Sequence, residues 1–240
     1  MITEDYLNNI IEILNKIKET QKGKMFLASE MIGETIKNDG IIYLFGCGHS
    51  HLAALDCFYR AGGLANVSAM LDCDLMLHNG AAKSSKMEKM HGIAESIFER
   101  YCITEKDMLI VISTSGKNAV PVEMAKTAKR NGIKNIAVVS SAYFNHKKAD
   151  PMLYECSDIY IDNCVPYGDA VTEISGAKTK MGSVSTAAST FVLQSILMEG
   201  ADMAGKCGFK IPVYMSGNID GGTEFNDVLI KEYRSRIKHL

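Results

Sequence analysis

Apolar side chains recur every three or four residues in the first part of the chain, which is the spacing of one face of an α-helix. The pattern predicts an amphipathic helix from Thr3, as its N-cap, to about Lys18, and a second helix that ends near Lys37. Because both helices precede the first strand, residues 1–40 are expected to form an N-terminal helix pair.

Five strand-like runs rich in apolar residues follow and alternate with segments of helical spacing. The runs are 41–45, 67–71, 109–112, 136–140 and 158–163. Continuous apolar runs are typical of parallel strands that are covered on both faces. The alternation therefore predicts an α/β domain over residues 41–204, with a parallel sheet that binds ligands at the carboxyl ends of its strands.

Three further segments complete the pattern. Residues Asp74 to Lys86 are polar and predicted to form an irregular active-site loop, whereas a long apolar helix is predicted from Ser183 to about Met203, capped by Ser183 or Ser185. Residues 205–240 are expected to form a C-terminal tail, a loop followed by a helix from Thr223. The inward positions predicted for that helix are Phe225, Val228, Leu229, Tyr233 and Ile237.

Composition argues against several classes of function. A net charge of -2 gives no basic excess to bind nucleic acid. No apolar run is long enough to span a membrane and the first residues are acidic, so we expect a cytoplasmic protein that binds no membrane. The seven scattered cysteines indicate free thiols in a reducing compartment.

His49 and His51 alternate like metal ligands but lack a third donor nearby, and no metal is expected.

The stretch from Met108 to Pro121 carries the clearest chemical signal. An apolar strand ends in Ser113, Thr114, Ser115 and Gly116, and a helix restarts near Lys117. Hydroxyl groups beside the unpaired backbone N–H groups of a helix N-terminus favour a phosphate. The Asn118 side chain lies close enough in sequence to add an amide donor.

A second glycine-containing loop, Gly46 to His51, follows the first strand. A dinucleotide-binding loop would need glycine where His51 stands, although Asp72 at the end of the next strand keeps that alternative open. The other interpretation is that Gly48 lets the backbone approach a sugar, whose hydroxyl groups bind Ser50 and one histidine. Because both loops follow strands and precede helices, we expect them to face the same crevice.

Together, FGCGHSH and STSGKN resemble the sugar isomerase (SIS) domain, which binds phosphosugars, and the resemblance covers roughly residues 1 to 205. The GHSHxxxxxxFYRAGGL stretch is similar to a subgroup described as phosphosugar-binding proteins or phosphosugar isomerases. The resemblance implies a flavodoxin-like three-layer α/β/α sandwich and a phosphorylated sugar as ligand, with no cofactor. It also implies a homodimer or homotetramer with sites at subunit contacts.

Site residues are also implied by this resemblance. The phosphate loop falls on Ser113, Thr114, Ser115 and Asn118, and the sugar loop on Gly48, His49, Ser50 and His51. The stretch EISGAKTKMGSVSTA resembles muramic acid phosphate etherases and so implies Thr179, Lys180 and Ser183 near the ligand. Related isomerases and etherases place a catalytic glutamate ten residues after the first-loop serine, but this chain has Arg60 there, facing the substrate.

Conversion of an aldose to a ketose needs a base beside the C–H bond, a contribution of typically ~10² to 10⁴ in rate. Four residues are candidates for that base: Asp56, Glu88, His91 and Glu173. His49 or His51 could assist ring opening. The sequence therefore predicts a metal-independent phosphosugar isomerase. A non-catalytic phosphosugar sensor, which Arg60 favours, and an etherase-type lyase remain alternatives.

Overall fold

A computed structural model describes residues 1–146 and 149–240 of the chain. Its helices are α1 (Ile2–Thr20), α2 (Lys22–Lys37), α3 (Ser50–Cys57), α4 (Ala81–Met87), α5 (Ile93–Glu99), α6 (Ala119–Arg130), α7 (Leu153–Cys156), α8 (Ser185–Lys206) and α9 (Gly222–Tyr233). Its strands are β1 (Ile42–Gly46), β2 (Val67–Met70), β3 (Met108–Ile112), β4 (Lys134–Val139), β5 (Ile159–Asp162), β6 (Ala170–Thr172) and β7 (Met181–Ser183). No helix within the described ranges is long and apolar enough to cross a membrane.

Strands β1 to β5 form one parallel sheet in the order β2-β1-β3-β4-β5. Successive side chains of β1 enter opposite faces: Tyr43 and Phe45 join one apolar cluster, and Ile42 and Leu44 join the other. Helices α1, α2, α3 and α8 cover the second face, while α5, α6, α7 and α9 cover the first. The predicted flavodoxin-like α/β/α sandwich is thus confirmed.

The strand order determines where a ligand can bind. Strand β1 pairs with β2 on one side and with β3 on the other, so the chain reverses its direction of winding between β1 and β3. Crevices in open α/β sheets form at such a point, outside the carboxyl ends of the two strands. The loops that follow β1 and β3 therefore meet at one edge of the sheet.

Several local predictions were wrong. The segment Asp74 to Lys86 is not irregular, because it contains two short 3₁₀ turns and most of α4. Helix α1 begins at Ile2, so Thr3 lies inside it and is not its N-cap. The side chains of Phe225 and Val228 are 45% and 60% exposed and do not face inward.

Ser183 belongs to a two-stranded hairpin, β6–β7, which the sequence did not predict. Neither serine caps α8 with its side chain. Instead, the Asp169 carboxylate accepts hydrogen bonds from the backbone N–H groups of Val184 and Ser185, at 3.0 and 2.8 Å. Asp169 precedes the hairpin in the sequence. The serines next to the helix therefore could not predict this cap.

Candidate functional site

The phosphate-type loop, residues 113–118, is fixed by backbone contacts on both sides. The Ser113 N–H donates to the Val138 carbonyl at 3.0 Å, and the Thr114 carbonyl accepts the Ser140 N–H at 2.9 Å. The Gly116 carbonyl accepts a third bond, from Leu153 at 2.8 Å. These bonds fix the shape of the loop and do not use the backbone N–H groups of residues 114, 115, 117 and 118.

Unused backbone donors are concentrated in this loop. Within residues 1–146 and 149–240, the N–H groups of Thr114, Ser115, Lys117 and Asn118 have no hydrogen-bond partner. Helix α6 itself begins at Ala119, two residues after Lys117. Its first turn offers little more, because Val120 N–H already donates to the Glu88 carbonyl at 3.1 Å and Pro121 has no N–H. An anion would therefore be bound mainly by the loop and not by the helix end.

Asn163 is a positioning residue that the sequence reading missed. Its fully buried side-chain amide donates to the Thr114 hydroxyl at 3.3 Å and to the Ser189 hydroxyl at 3.2 Å. Because the Thr114 oxygen accepts this bond, its own proton is free to be donated to a ligand. A polar residue directly after a strand of the sheet was the signal that could have identified it.

The loop after β1 is braced by its own histidine and by the segment before α4. The buried His51 hydrogen-bonds the Gly48 carbonyl through Nδ1, and the Gly48 N–H donates to the Leu75 carbonyl at 2.9 Å. His49 is exposed, and Ser50 is partly exposed at the start of α3. His51 thus shapes the loop, which leaves Ser50 and His49 on its accessible side.

Asp72 is committed to other contacts and does not present a free carboxylate for a ribose. One of its oxygens accepts the Asp74 N–H at 3.0 Å, and the other pairs with Arg100 at 2.9 Å. Since His51 also replaces the third glycine, the geometry lends no support to dinucleotide binding.

Glu88 is the candidate carboxylate whose segment contacts both loops. Its backbone carbonyl accepts the Val120 N–H at 3.1 Å, next to the phosphate-type loop. The helix before it, α4, donates from the Ser84 hydroxyl to the Leu75 carbonyl at 2.8 Å, and the same carbonyl accepts the Gly48 N–H of the first loop.

Burial raises the pKa of Glu88 above the usual glutamate value, and the nearby Asn118 side chain only partly opposes that shift. Burial also raises the pKa of the Cys47 thiol, which therefore stays neutral and is no nucleophile.

The other candidate bases have different surroundings. Asp56 forms an ion pair with Arg60 and accepts the Gln194 amide at 3.2 Å. His91 is highly exposed and pairs with Glu123 at 2.6 Å. Glu173, Thr179 and Lys180 lie exposed in the connection between β6 and β7, and no hydrogen bond within the described parts of the chain joins them to the crevice.

No group of three His, Cys, Asp or Glu residues among those described could hold a metal ion.

The Ser183 side chain is exposed, while its backbone carbonyl accepts a hydrogen bond from the Tyr6 hydroxyl at 2.8 Å. The two strand-end loops therefore meet near Glu88, while no hydrogen bond among the described residues joins Glu173, Thr179 or Lys180 to either loop.

Known proteins resemble this chain in sequence and in structure. The SIS domain family matches residues 5–140. The UPF0309 protein of Caldanaerobacter subterraneus is 41% identical over 98% of this chain and 98% of its own length. The UPF0309 protein of Thermoanaerobacter pseudethanolicus is 39% identical over 98% of this chain and 99% of its own.

A solved structure extends the likeness to the fold. The phosphoheptose isomerase of Neisseria gonorrhoeae superposes with a TM-score of 0.51 at 17% identity, covering 86% of this chain and 96% of that one. A proposed sugar-phosphate isomerase of Listeria monocytogenes gives a TM-score of 0.51 at 15% identity, covering 95% and 94%. At these identities the likeness concerns the arrangement of helices and strands.

Proposed function

This chain belongs to the SIS domain family, and from that premise we propose that it binds a phosphorylated sugar and isomerises it without a metal ion. The family match covers both strand-end loops, 46–51 and 113–118, which carried the resemblance in the sequence. The phosphate would lie on residues 113–118 and the sugar beside residues 48–51. The two relatives are named as UPF0309 proteins, and that name states no reaction.

Support for the phosphate comes from the unused donors of the loop. The four unpaired N–H groups, together with the Ser115 and Thr114 hydroxyls, match the several oxygens of a phosphate. Gly116, with φ +60°, supplies the left-handed residue that a nest of backbone N–H groups uses.

The proton transfer is assigned to Glu88. The observation that carries this proposal is that its backbone is bound to Val120 beside the phosphate-type loop, while α4 before it contacts the segment that braces the first loop. As the base, Glu88 would remove the proton from the carbon beside the sugar carbonyl, while water protonates the carbonyl oxygen to give an enediol. The carboxylic acid would then return its proton to the former carbonyl carbon, as the hydroxyl group on the other carbon gives its proton to water and becomes the new carbonyl. A pKa raised by burial suits a group that must both take and return a proton near neutral pH.

The test is proton exchange followed by NMR. In D₂O with fructose 6-phosphate, glucosamine 6-phosphate or sedoheptulose 7-phosphate, the protein should exchange the proton beside the carbonyl of at least one sugar. Glu88→Gln should lower that exchange by roughly 10² to 10⁴ while phosphosugars still raise the melting temperature. The control is Glu99→Gln, on the exposed surface of α5. Exchange that survives in Glu88→Gln would remove Glu88 from the reaction.

A non-catalytic sensor is the second candidate, favoured by the pairing of Arg60 with Asp56. Arg60 stands where related enzymes are implied to have a catalytic glutamate, and it is paired with the nearby Asp56 carboxylate. If the wild-type protein binds phosphosugars but exchanges the proton beside the carbonyl of none of them, the sensor function is supported. In that case Ser115→Ala should abolish the melting shift.

We further propose that the protein is a homodimer or homotetramer whose sites lie near subunit contacts. The outer face of α3 and the residues after it expose Leu52, Leu55 and Tyr59, at 38%, 41% and 54%, beside the Arg60 and Asp56 pair. Apolar side chains next to a site are covered most simply by another copy of the chain. Light scattering after size-exclusion chromatography measures this directly, and a monomeric mass would contradict it.

A further inference from the structure

A cavity adjoins the phosphate-type loop and is lined by the first turn of α6 and by residues 149–151. Its volume is about 390 Å³, and Lys117 and Asn118 belong both to its lining and to the loop. The size is within the range of sites for small ligands. Ser113, Thr114 and Ser115 do not line it, so the cavity adjoins the proposed phosphate site without being the same space.

Positive charge dominates the lining of this cavity. Lys89, Lys117 and Lys126 line it, and within the described residues none of the three forms an ion pair. Of the two acidic side chains, Glu123 is already engaged, because its oxygens contact His91 at 2.6 Å and the Gly92 N–H at 2.8 Å. Asp150 is the other acidic side chain. Three lysines against two carboxylates leave this concave surface with an excess of positive charge, which favours an anion there.

We propose that this cavity is a second anion subsite, so that the substrate is a phosphorylated sugar with a second negatively charged group. The inference rests on the proposed function, since the first phosphate is placed on residues 113–118. A sugar monophosphate needs only the loop and the crevice, and the three lysines would have no partner. A carboxylate or a second phosphate shares the chemistry that these lysines recognise.

Matched ligand pairs test the subsite by calorimetric titration. Fructose 1,6-bisphosphate and fructose 6-phosphate differ by one phosphate, and 6-phosphogluconate and glucitol 6-phosphate differ by a carboxylate in place of an alcohol. The more anionic member of at least one pair should bind more tightly to the wild-type protein. The pair that differs identifies the second group as phosphate or carboxylate.

Substitutions of the lysines then test whether this cavity binds the second anionic group. Lys126→Ala should weaken the more anionic ligand by roughly threefold, and the Lys89→Ala/Lys126→Ala double variant by roughly tenfold, with the monophosphate unchanged. Lys129→Ala is the control, because Lys129 is on the same helix but lines a different cavity. Thermal unfolding of each variant checks that it is folded.

The outcomes separate this inference from the proposed function. Equal binding of both members in both pairs overturns the second subsite and leaves sugar phosphate binding intact. The same holds if Lys126→Ala weakens both members equally, or if Lys129→Ala has the same effect as Lys126→Ala. Binding of no ligand from either pair overturns the proposed function together with the subsite.

Discussion

Glu88 connects the stability of the protein to its proposed chemistry. Its pKa is raised by burial, so the native state holds the protonated carboxyl more readily than the unfolded chain does. Below the unfolded pKa of about 4.3 both states are protonated and the residue costs no stability. As the pH rises through the folded-state pKa, the native state must hold a desolvated charge and loses stability.

Glu88→Gln should therefore melt at a higher temperature than the wild-type protein at pH 7 to 8, and at the same temperature near pH 4. We expect this difference in melting temperature because the substitution removes a negative charge that is poorly solvated in the native state. Calorimetric melting curves across this pH range measure the difference. Glu99→Gln should show no such gap at any pH, because Glu99 is exposed. An unchanged melting temperature for Glu88→Gln at pH 8 would contradict the burial of this carboxylate.

Gly116→Ala should weaken both folding and phosphosugar binding. Its φ of +60° disfavours a side chain, and an added Cβ would lie 3.2 Å from Cγ1 of Val139. We expect a loss of about 1 to 2 kcal/mol in the free energy of unfolding. Gly132→Ala is the matched control, since Gly132 has φ +71° but open space around it. It should lose stability and retain binding. Equal ligand affinity in both variants would argue against the loop as the phosphate site.

At the scale of elements, helices α2 and α8 approach each other closely. A Cβ on Gly200 would lie 2.6 Å from Cγ2 of Ile32 and 2.7 Å from the Ser29 carbonyl oxygen. The two helix backbones approach this closely because Gly200 has no side chain. The N-terminal helix pair is thereby held against the sheet through α8.

Gly200→Ala should destabilise the protein by about 1 to 3 kcal/mol, because the added methyl group forces α2 away from α8. Gly205→Ala, on the same helix, is a sensitive control. Its Cβ would meet Cγ1 of Ile211 at an ordinary 3.5 Å, and alanine in a helix is otherwise favoured over glycine by about 0.5 to 1 kcal/mol. Chemical denaturation measures both values. Stabilisation by both substitutions would contradict the close contact.

Prediction from sequence succeeded where one local pattern decides the structure. The strands of the sheet are buried on both faces, so their apolar runs identify them in any context. Prediction failed where partners are distant in sequence: β6 and β7 have only three residues each and exist by pairing with each other. The cap of α8 by Asp169 was not predicted for the same reason, because Asp169 is distant from the helix start in the sequence.

The candidate site divides in the same way. Residues 46–51 and 113–118 could be found because each loop directly follows its strand, and the parallel sheet brings both to one edge. Which carboxylate approaches them could not be read from spacing. Glu88 is brought there by the contact of its backbone carbonyl with the Val120 N–H, a contact between segments that are 32 residues apart in the printed numbering.

At the scale of the whole molecule, the segment after α8 is fastened to the sheet. The Leu64 and Val213 backbones form a bridge, and the Gly62 N–H donates to the Tyr214 carbonyl at 2.8 Å. Further along, Arg236 pairs with Asp39 at 3.0 Å. Residues 205–240, predicted as a tail, thus contribute backbone pairing, an ion pair and apolar core to the domain.

Ile237→Ala should lower the free energy of unfolding of the entire domain by about 2 to 5 kcal/mol, because Ile237 is 1% exposed within the core of the first face. Thermal unfolding should remain a single transition. Val228→Ala, at a site 60% exposed, should change little and serves as the control. A separate early transition in Ile237→Ala would show that the segment folds independently of the sheet.

The contact between α2 and α8 also has a consequence for how the chain is made. Roughly 150 residues separate the end of α2 from the start of α8, and ribosomes add about 5 to 20 residues per second. The apolar faces of α1 and α2 therefore leave the ribosome roughly 7 to 30 seconds before the helix that covers them. During that interval they are available to chaperones or to neighbouring nascent chains.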